Sequence, residues 1–202
     1  MIQQPRYYER DGIRYPSVTT VLGIIRRPHL EEWRGRLGNA EADRVAQEAA
    51  DLGSAVHQTI ARINRGERVR PRPEIRPIVD AYRRWRDQAV AEVLAVEETV
   101  YHTLYRYAGT LDLLVRLKGH RLPTVVDIKT SSAIYPEMGL QLAAYRAALE
   151  VEQGARTGGG LIVRLPKDGS DRVEVREFRD YPRDLDAFRW ALGLWRYLRE
   201  EA

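Results

Sequence analysis

Up to about residue 92 the apolar residues recur every three or four positions. Beyond it they alternate or run together, and helical spacing returns only in two blocks. Residues 5–15 predict a small hairpin turning at Asp11-Gly12, a dipeptide suited to two adjacent left-handed positions. Pro16-Ser17 predicts the start of a short helix with Ser17 as its cap, and a further helical turn surrounds Trp33. From about Asn39 to Asn64, Val45, Ala49, Leu52, Val56, Ile60 and Ile63 fall on one face of a long helix. Gly66 ends it, Pro71, Pro73 and Pro77 mark a linker, and another helix follows to about Ala91.

The strand-like segments are Val93–Tyr101, Tyr107–Leu117 and the short apolar run Thr124–Lys129. A helix is expected from about Pro136 to Glu152. After Gly158-Gly159-Gly160, Leu161–Leu165 and Arg172–Phe178 read as a hairpin across Lys167-Asp168-Gly169-Ser170. A helix from about Arg183 to Arg199 closes the chain, with Trp190 and Trp195 expected to pack beside Leu192 and Leu198. Helices, three strands, a helix, two strands and a helix make an α/β chain with one mixed sheet and helices on its faces. The Pro-rich linker does not divide it, because neither half alone has the strands or core to stand. Residues 1–202 are expected to form one domain, with 1–92 the mainly helical part and 93–202 the sheet-containing core.

Composition narrows the chemistry. With no cysteine among 202 residues, disulfides, thiolate zinc sites and iron–sulfur clusters are excluded. A metal would have to be held by His, Asp or Glu, which favours Mg²⁺ or Mn²⁺. No apolar run approaches the roughly 20 residues of a membrane span and no signal-peptide pattern opens the chain, so a cytoplasmic location and no membrane partner are expected. The formal charge of +4 permits nucleic-acid binding without demanding it. Of 33 basic residues only Lys118, Lys129 and Lys167 are lysine. In a chain so biased to arginine, each remaining lysine carries more information.

The segment Val125-Val126-Asp127-Ile128-Lys129-Thr130 carries the sharpest signal. Asp127 and Lys129 are two apart and share one strand face, with Val126 and Ile128 on the other. The preceding strand holds a lone acid, Asp112, in an apolar run. In one hairpin register Asp112 faces Asp127; with a loop two residues longer it faces Lys129. Either register places the three on one face. Paired carboxylates repel unless a cation sits between them, and an adjacent ammonium can steady a water or a phosphate charge. The plain alternative, a surface salt bridge made by Lys129, suits an isolated Asp-x-Lys better than this pair of acids in apolar strands.

His57 lies one turn from Gly53, which leaves room beside the imidazole; alone it reads as a packed or surface histidine. Glu97 and Glu98 point to opposite faces, and alternation does not say which faces Asp112. Gln141 and Tyr145 form an i, i+4 pair on the helix after Lys129. Ser17 and Thr19 could hold a phosphate at a helix start or merely cap it, and Trp33 and Tyr145 could stack on bases, though Trp33 serves equally as core.

Taken together, Gly53-x-x-x-His57, Glu97, Gly109-Thr110-Leu111-Asp112, Asp127-Ile128-Lys129-Thr130 and Gln141-x-x-x-Tyr145 resemble the motifs of RecB-type PD-(D/E)XK nucleases, in order and approximate spacing. Tyr15-Pro16-Ser17-Val18-Thr19-Thr20-Val21-Leu22 and Trp33 look like the stand-alone members, which include phage exonucleases and mitochondrial genome maintenance exonuclease. The resemblance implies a restriction-endonuclease-like core. It implies His57, Asp112, Asp127 and the Ile128 carbonyl as metal ligands, Lys129 as the catalytic lysine and Glu97 rather than Glu98 as the strand glutamate. Gln141 and Tyr145 would lie near the bound strand. The four cysteines of the family's iron–sulfur branch are missing, and no phosphate loop supplies an ATPase.

The expected activity is Mg²⁺- or Mn²⁺-dependent hydrolysis of DNA, preferentially single-stranded and from an end, in repair, recombination or replication. Residues 15–40 are expected to arch over the active face, and a helicase or recombinase is a candidate partner. A structure-specific or double-strand nuclease acting with a recombinase is the second reading. A non-catalytic DNA-binding protein on the same fold is the third, against which the intact Asp112, Asp127 and Lys129 stand.

Overall fold

The computed structural model describes residues 5–154, 156–167, 170 and 172–200, with His29 and Glu200 described by backbone alone. A two-stranded hairpin comes first, β1 (Tyr7–Arg10) and β2 (Ile13–Pro16). Its two-residue turn has φ of 53° at Asp11 and 71° at Gly12, as the Asp-Gly pair predicts. The helices α1 (Val18–Leu22), α2 (Pro28–Leu37), α3 (Asn39–Asn64) and α4 (Arg76–Ala89) follow. The second half holds β3 (Val90–His102), β4 (Tyr107–Leu117), β5 (Thr124–Lys129), α5 (Glu137–Gln153), β6 (Gly159–Arg164), β7 (Glu174–Glu177) and α6 (Tyr181–Glu200).

Strands β3 to β7 form one five-stranded sheet in chain order. All neighbours are antiparallel except β5 and β6, which run parallel and are joined through α5 as a parallel pair requires. The β6–β7 pairing agrees with the expected hairpin, while Asp168 and Gly169 of its turn lie outside the described residues. Helices cover both faces. Val21, Leu142, Phe188 and Trp195 pack with Leu111, Val125 and Ile162 on one side. Val56, Ile60, Ile78 and Tyr82 pack with Leu113, Val126 and Val163 on the other. The helices on both sides of the Pro-rich linker therefore share the second core. No helix among the described residues is long and apolar enough to cross a membrane.

Two features of α3 and α6 depart from their apolar spacing. In α3, Val56 and Ile60 are buried and Leu52 and Ile63 pack half-buried at the edge of that core, whereas Val45 and Ala49, in the N-terminal half, are half-exposed beyond it. In α6, Trp195 and Leu192 are buried as expected, but Trp190 is 74% exposed and Leu198 55%. α6 packs on α5 and α1 through Phe188, Leu192 and Trp195, and the rest of its apolar surface meets solvent.

The strand pairing sets up the site. β3 and β4 pair with two bulges, between Val90 and Glu92 and between Val93 and Ala95, each adding one residue to β3. Beyond them the pairs Val96↔Leu113 and Glu98↔Leu111 leave Glu97 opposed to Asp112. At that point Glu97 has φ of 53°, a left-handed conformation rare for a non-glycine strand residue. Leu113 enters the core under α3 and α4, yet Leu111 enters the core under α5 and α6. The alternation of faces is broken at Asp112, where β4 also parts from β5.

Candidate active site

β4 and β5 pair in the first of the two expected registers, Leu113↔Val126, Leu114↔Val125 and Val115↔Thr124. The pairing stops one residue short of Asp112. Ile128 N then donates not to a neighbouring strand but to Asp112 Oδ2, at 2.6 Å. A carboxylate has taken the place of a ladder carbonyl, so the split costs no unsatisfied backbone donor there. Of the three side chains expected on one face, Asp112, in the split between the strands, and Lys129 line one cavity, while Asp127 is held toward α5 by Gln141.

On the α5 side the geometry is closed. Lys129 Nζ lies 2.7 Å from Asp127 Oδ2. Gln141 Nε2 donates to Asp127 Oδ1 at 2.9 Å and to the Tyr145 hydroxyl at 3.0 Å, and Lys129 Nζ donates to Gln141 Oε1 at 3.2 Å. Tyr145 is itself 3% exposed. Its ring lies so close to Gly109 that a Cβ there would sit 3.0 Å from Cδ1 and nearer still to Cε1. Stacking of a base on Tyr145 is therefore corrected: the ring is core, and its hydroxyl orients Gln141.

On the α3 side, His57 Nδ1 lies 3.2 Å from Asp112 Oδ1. His57, Glu97 and Asp112 each offer a ligand atom, and the three atoms lie within 4.8 Å of one another. Glu97 lines this cavity, whereas Glu98 accepts a hydrogen bond from Gln153 Nε2 at 3.0 Å on the α5 side. That settles the choice between neighbours that alternation left open. Gly53 serves a different purpose from the one expected: the neighbour of a Cβ there would be Thr130 Oγ1, at 3.2 Å, not the imidazole.

The charges are arranged as a cation site would have them. Burial raises the Glu97 pKa, with Asp112 repulsion adding to it. Burial also raises that of Asp127, which Lys129 offsets only in part. Asp112 goes the other way: burial opposes ionisation, but His57, Lys129 and the Ile128 N–H together outweigh it and lower its pKa. His57 and Lys129 are both raised, because the neighbouring carboxylates overcome their burial. Asp127 Oδ2 is fully buried and, despite Lys129 beside it, receives no directed hydrogen bond. Three ligand atoms this close, all oxygen or imidazole nitrogen, suit one divalent ion, and the mutual repulsion of Glu97 and Asp112 is what such an ion would remove.

A cavity of about 1160 Å³ opens over this cluster. Its walls include His57, Glu97, Asp112 and Lys129, and also Arg6, Arg65 and Lys167, none of which was expected at the site. Of these only Lys167 carried a signal, as one of three lysines; Arg6 and Arg65 are lost among the many arginines. Ser17, Thr19 and Trp33 are not in these walls. Ser17 is 2% exposed, and its Oγ accepts from Thr20 N at 3.0 Å, so it caps α1. Thr19 is exposed and Trp33 half-buried away from the cavity. Among the described residues none of 15–40 lines the cavity, which corrects the expected arch; the long flank of α3 forms the wall instead.

A model of the PD-(D/E)XK nuclease superfamily matches residues 70–200, more than half of the chain. The chain belongs to the PD-(D/E)XK nuclease superfamily. The matched segment holds Glu97, Asp112, Asp127, Lys129, Gln141 and Tyr145, while His57 and the N-terminal hairpin lie outside it. As a PD-(D/E)XK nuclease the protein is placed among enzymes that hydrolyse nucleic acids with divalent metal ions, and the His57, Glu97 and Asp112 cluster provides a place for one. No curated protein matches the chain. Among solved structures, one described as the crystal structure of SSO0001 is similar over 93% of this chain and 78% of its own length, at 16% identity and a TM-score of 0.46. That likeness is too distant to argue from.

Proposed function

We propose that the protein is a Mg²⁺- or Mn²⁺-dependent deoxyribonuclease of the RecB-like type that prefers single-stranded DNA and works from an end. The observation that carries the hydrolytic reading is the meeting of His57, Glu97 and Asp112 within 4.8 Å, beside the Asp127–Lys129 pair. A divalent ion held there would supply Lewis acidity toward a phosphate oxygen and a bound water. The protein's own part is positional. Asp112 and Glu97 hold negative charge at the cavity floor, and Lys129 places an ammonium beside it for charge that grows on the phosphate. Gln141, held by Tyr145, keeps Asp127 and Lys129 oriented. The family motif would add Asp127 and the Ile128 carbonyl to the ligand set, and Asp127 would then exchange its contacts with Lys129 and Gln141 for the ion. His57 makes Mn²⁺ a good substitute, imidazole being softer than carboxylate. Single-strand preference is supported by the absence of an ATPase motif and by a one-sided cavity flanked by a single long helix.

Because none of the described residues of 15–40 lines the cavity, an endonuclease acting with a recombination partner is the second reading. The test uses end-labelled DNA. Cleavage should vanish in EDTA, return with Mg²⁺ or Mn²⁺ and fail with Ca²⁺. Undiminished cleavage in EDTA rejects the metal-dependent reading. No cleavage of any DNA with either ion favours the non-catalytic DNA-binding alternative. A linear oligonucleotide should be degraded faster than blunt duplex, and its ligated circle should resist. Equal rates on circle and linear strand favour the endonuclease.

A further inference from the structure

The surface of this protein is dense with arginine, and part of it is neutralised locally. Arg26 pairs with Glu31, Arg27 with Glu137, Arg34 with Asp43, Arg62 with Glu67, Arg164 with Glu174 and Arg179 with Glu177. In the cavity wall Arg62 is neutralised in this way, but three other exposed basic side chains are not. Among the described residues, Arg6, Arg65 and Lys167 form no ion pair with a carboxylate, though each lines the cavity that holds the acidic cluster.

Three unconnected elements bring them there. Arg6 precedes β1 and is tied to the start of α1, its N–H donating to Thr20 Oγ1 at 2.9 Å and its carbonyl accepting from Ser17 N at 2.9 Å. Arg65 is the residue that ends α3. Both are close enough for their charges to favour ionisation of Glu97. Lys167 follows β6, which runs parallel to β5, so it emerges at the same sheet end as Lys129; Leu165 N donates to Lys129 O at 2.8 Å. Of the three lysines, Lys118 donates to the Asp87 carbonyl, and the other two line this cavity. Between the basic ends, the cavity flank of α3 begins with Ala49, Ala50, Gly53 and Ser54, side chains small enough to leave a path open. From residue 49 to residue 65 that flank is roughly 24 Å long at 1.5 Å per residue.

We propose that Arg6 and Arg65 on the Glu97 side and Lys167 on the Lys129 side are phosphate clamps that hold one nucleic-acid strand along α3 and across the acidic cluster. The ligand is a polyanionic single strand, its phosphates seated on both sides of the bond to be cut. This inference rests on the proposed nuclease function. The cluster alone repels a phosphodiester. Cations on either side that no described carboxylate pairs overcome that repulsion and fix the strand's position, leaving Lys129 to act at the reacting phosphate. Arginine can engage a phosphate through two parallel hydrogen bonds, whereas Lys167 acts as a point charge on a flexible stem. All three side chains are exposed, so their truncation leaves the core intact.

The experiment compares wild type with Arg6→Ala, Arg65→Ala, Lys167→Ala and Lys167→Arg, and with Arg179→Ala as a surface control. Binding of fluorescent oligothymidylate is titrated in Ca²⁺ at several NaCl concentrations, and cleavage is followed in Mn²⁺. Each of the three truncations is expected to raise Kd and KM about tenfold, with kcat within about twofold of wild type. Each should also flatten the slope of log Kd against log salt by about 0.7, the value for one phosphate contact on a single strand. Lys167→Arg should bind as wild type, and so should Arg179→Ala. Unchanged Kd and salt slope in Arg65→Ala and Lys167→Ala overturn the proposal, as does a fall in kcat with KM unchanged. A wild type that binds through these residues but never cleaves would keep the clamp and reject the nuclease reading.

Discussion

The carboxylate of Asp112 accepts the Ile128 N–H at 2.6 Å and contacts His57 at 3.2 Å, and the two contacts respond differently to substitution. Asp112→Asn keeps an oxygen for the Ile128 N–H but removes the charge. It should fold nearly as wild type and lose cleavage by at least about a hundredfold, the scale of one lost electrostatic contributor. Asp112→Ala also leaves the Ile128 N–H without a partner, which should cost about 1–3 kcal/mol more. Urea unfolding of the two variants separates the roles; equal stabilities would show that the backbone contact is unimportant. Lys129→Ala should still fold, because Asp127, whose pKa burial already raises, can take up a proton when its partner is gone. It should bind DNA yet cleave at least about a hundredfold more slowly. Wild-type turnover in that variant would reduce Lys129 to a structural ion pair. The residues on β5 were legible from sequence because Asp127 and Lys129 obey a strict two-residue period. Alternation did not choose between Glu97 and Glu98, because two bulges and a positive φ upset that period in β3; only the motif resemblance named Glu97.

At the scale of elements, the site depends on how closely α5 lies on the sheet. Gly109 on β4 has no side chain where the Tyr145 ring passes, and Tyr145 in turn holds Gln141 over Asp127. Gly109→Ala should therefore destabilise by about 1–3 kcal/mol through overpacking, and cleavage should fall as the Gln141 contacts shift. Gly35 in α2 provides the contrast, since a Cβ there meets nothing within 4 Å. Gly35→Ala should stabilise by about 0.5–1 kcal/mol through helix propensity alone. Thermal melts of the pair check this; a neutral Gly109→Ala would mean that α5 can lift off the sheet without loss. The existence of each element was legible in the apolar spacing, including the Asp-Gly hairpin and the Ser17 cap. The outward face of α6 was not, because spacing shows that a stripe is apolar and not how much of it a neighbour covers.

For the whole molecule, the cluster of His57, Glu97 and Asp112 links metal binding to stability. The three ligand atoms come from α3, β3 and β4, and an ion that joins them binds only the folded chain. Mn²⁺ at about a hundredfold above its Kd should add about 2.7 kcal/mol of stability, read as a rise in melting temperature. His57→Ala should reduce that rise. A melting temperature insensitive to Mn²⁺ and Mg²⁺ through millimolar concentrations would count against a divalent site at this cluster.

The chain's own order of residues determined the α/β class, the succession of elements, and the placing of Asp127 and Lys129 on one strand face. These follow from backbone periods and local turn chemistry, which act over a few residues. Only the tertiary structure decided that Asp112 sits in a split between strands and that Tyr145 is core, and it carried Glu97, which the motif resemblance had named, and not Glu98 into the cavity. It also decided that Arg6, Arg65 and Lys167 meet around the acids from separate elements. The reason is physical: a period records which side of an element is buried, whereas convergence depends on bulges, on where two strands part, and on the long-range packing of elements distant along the chain.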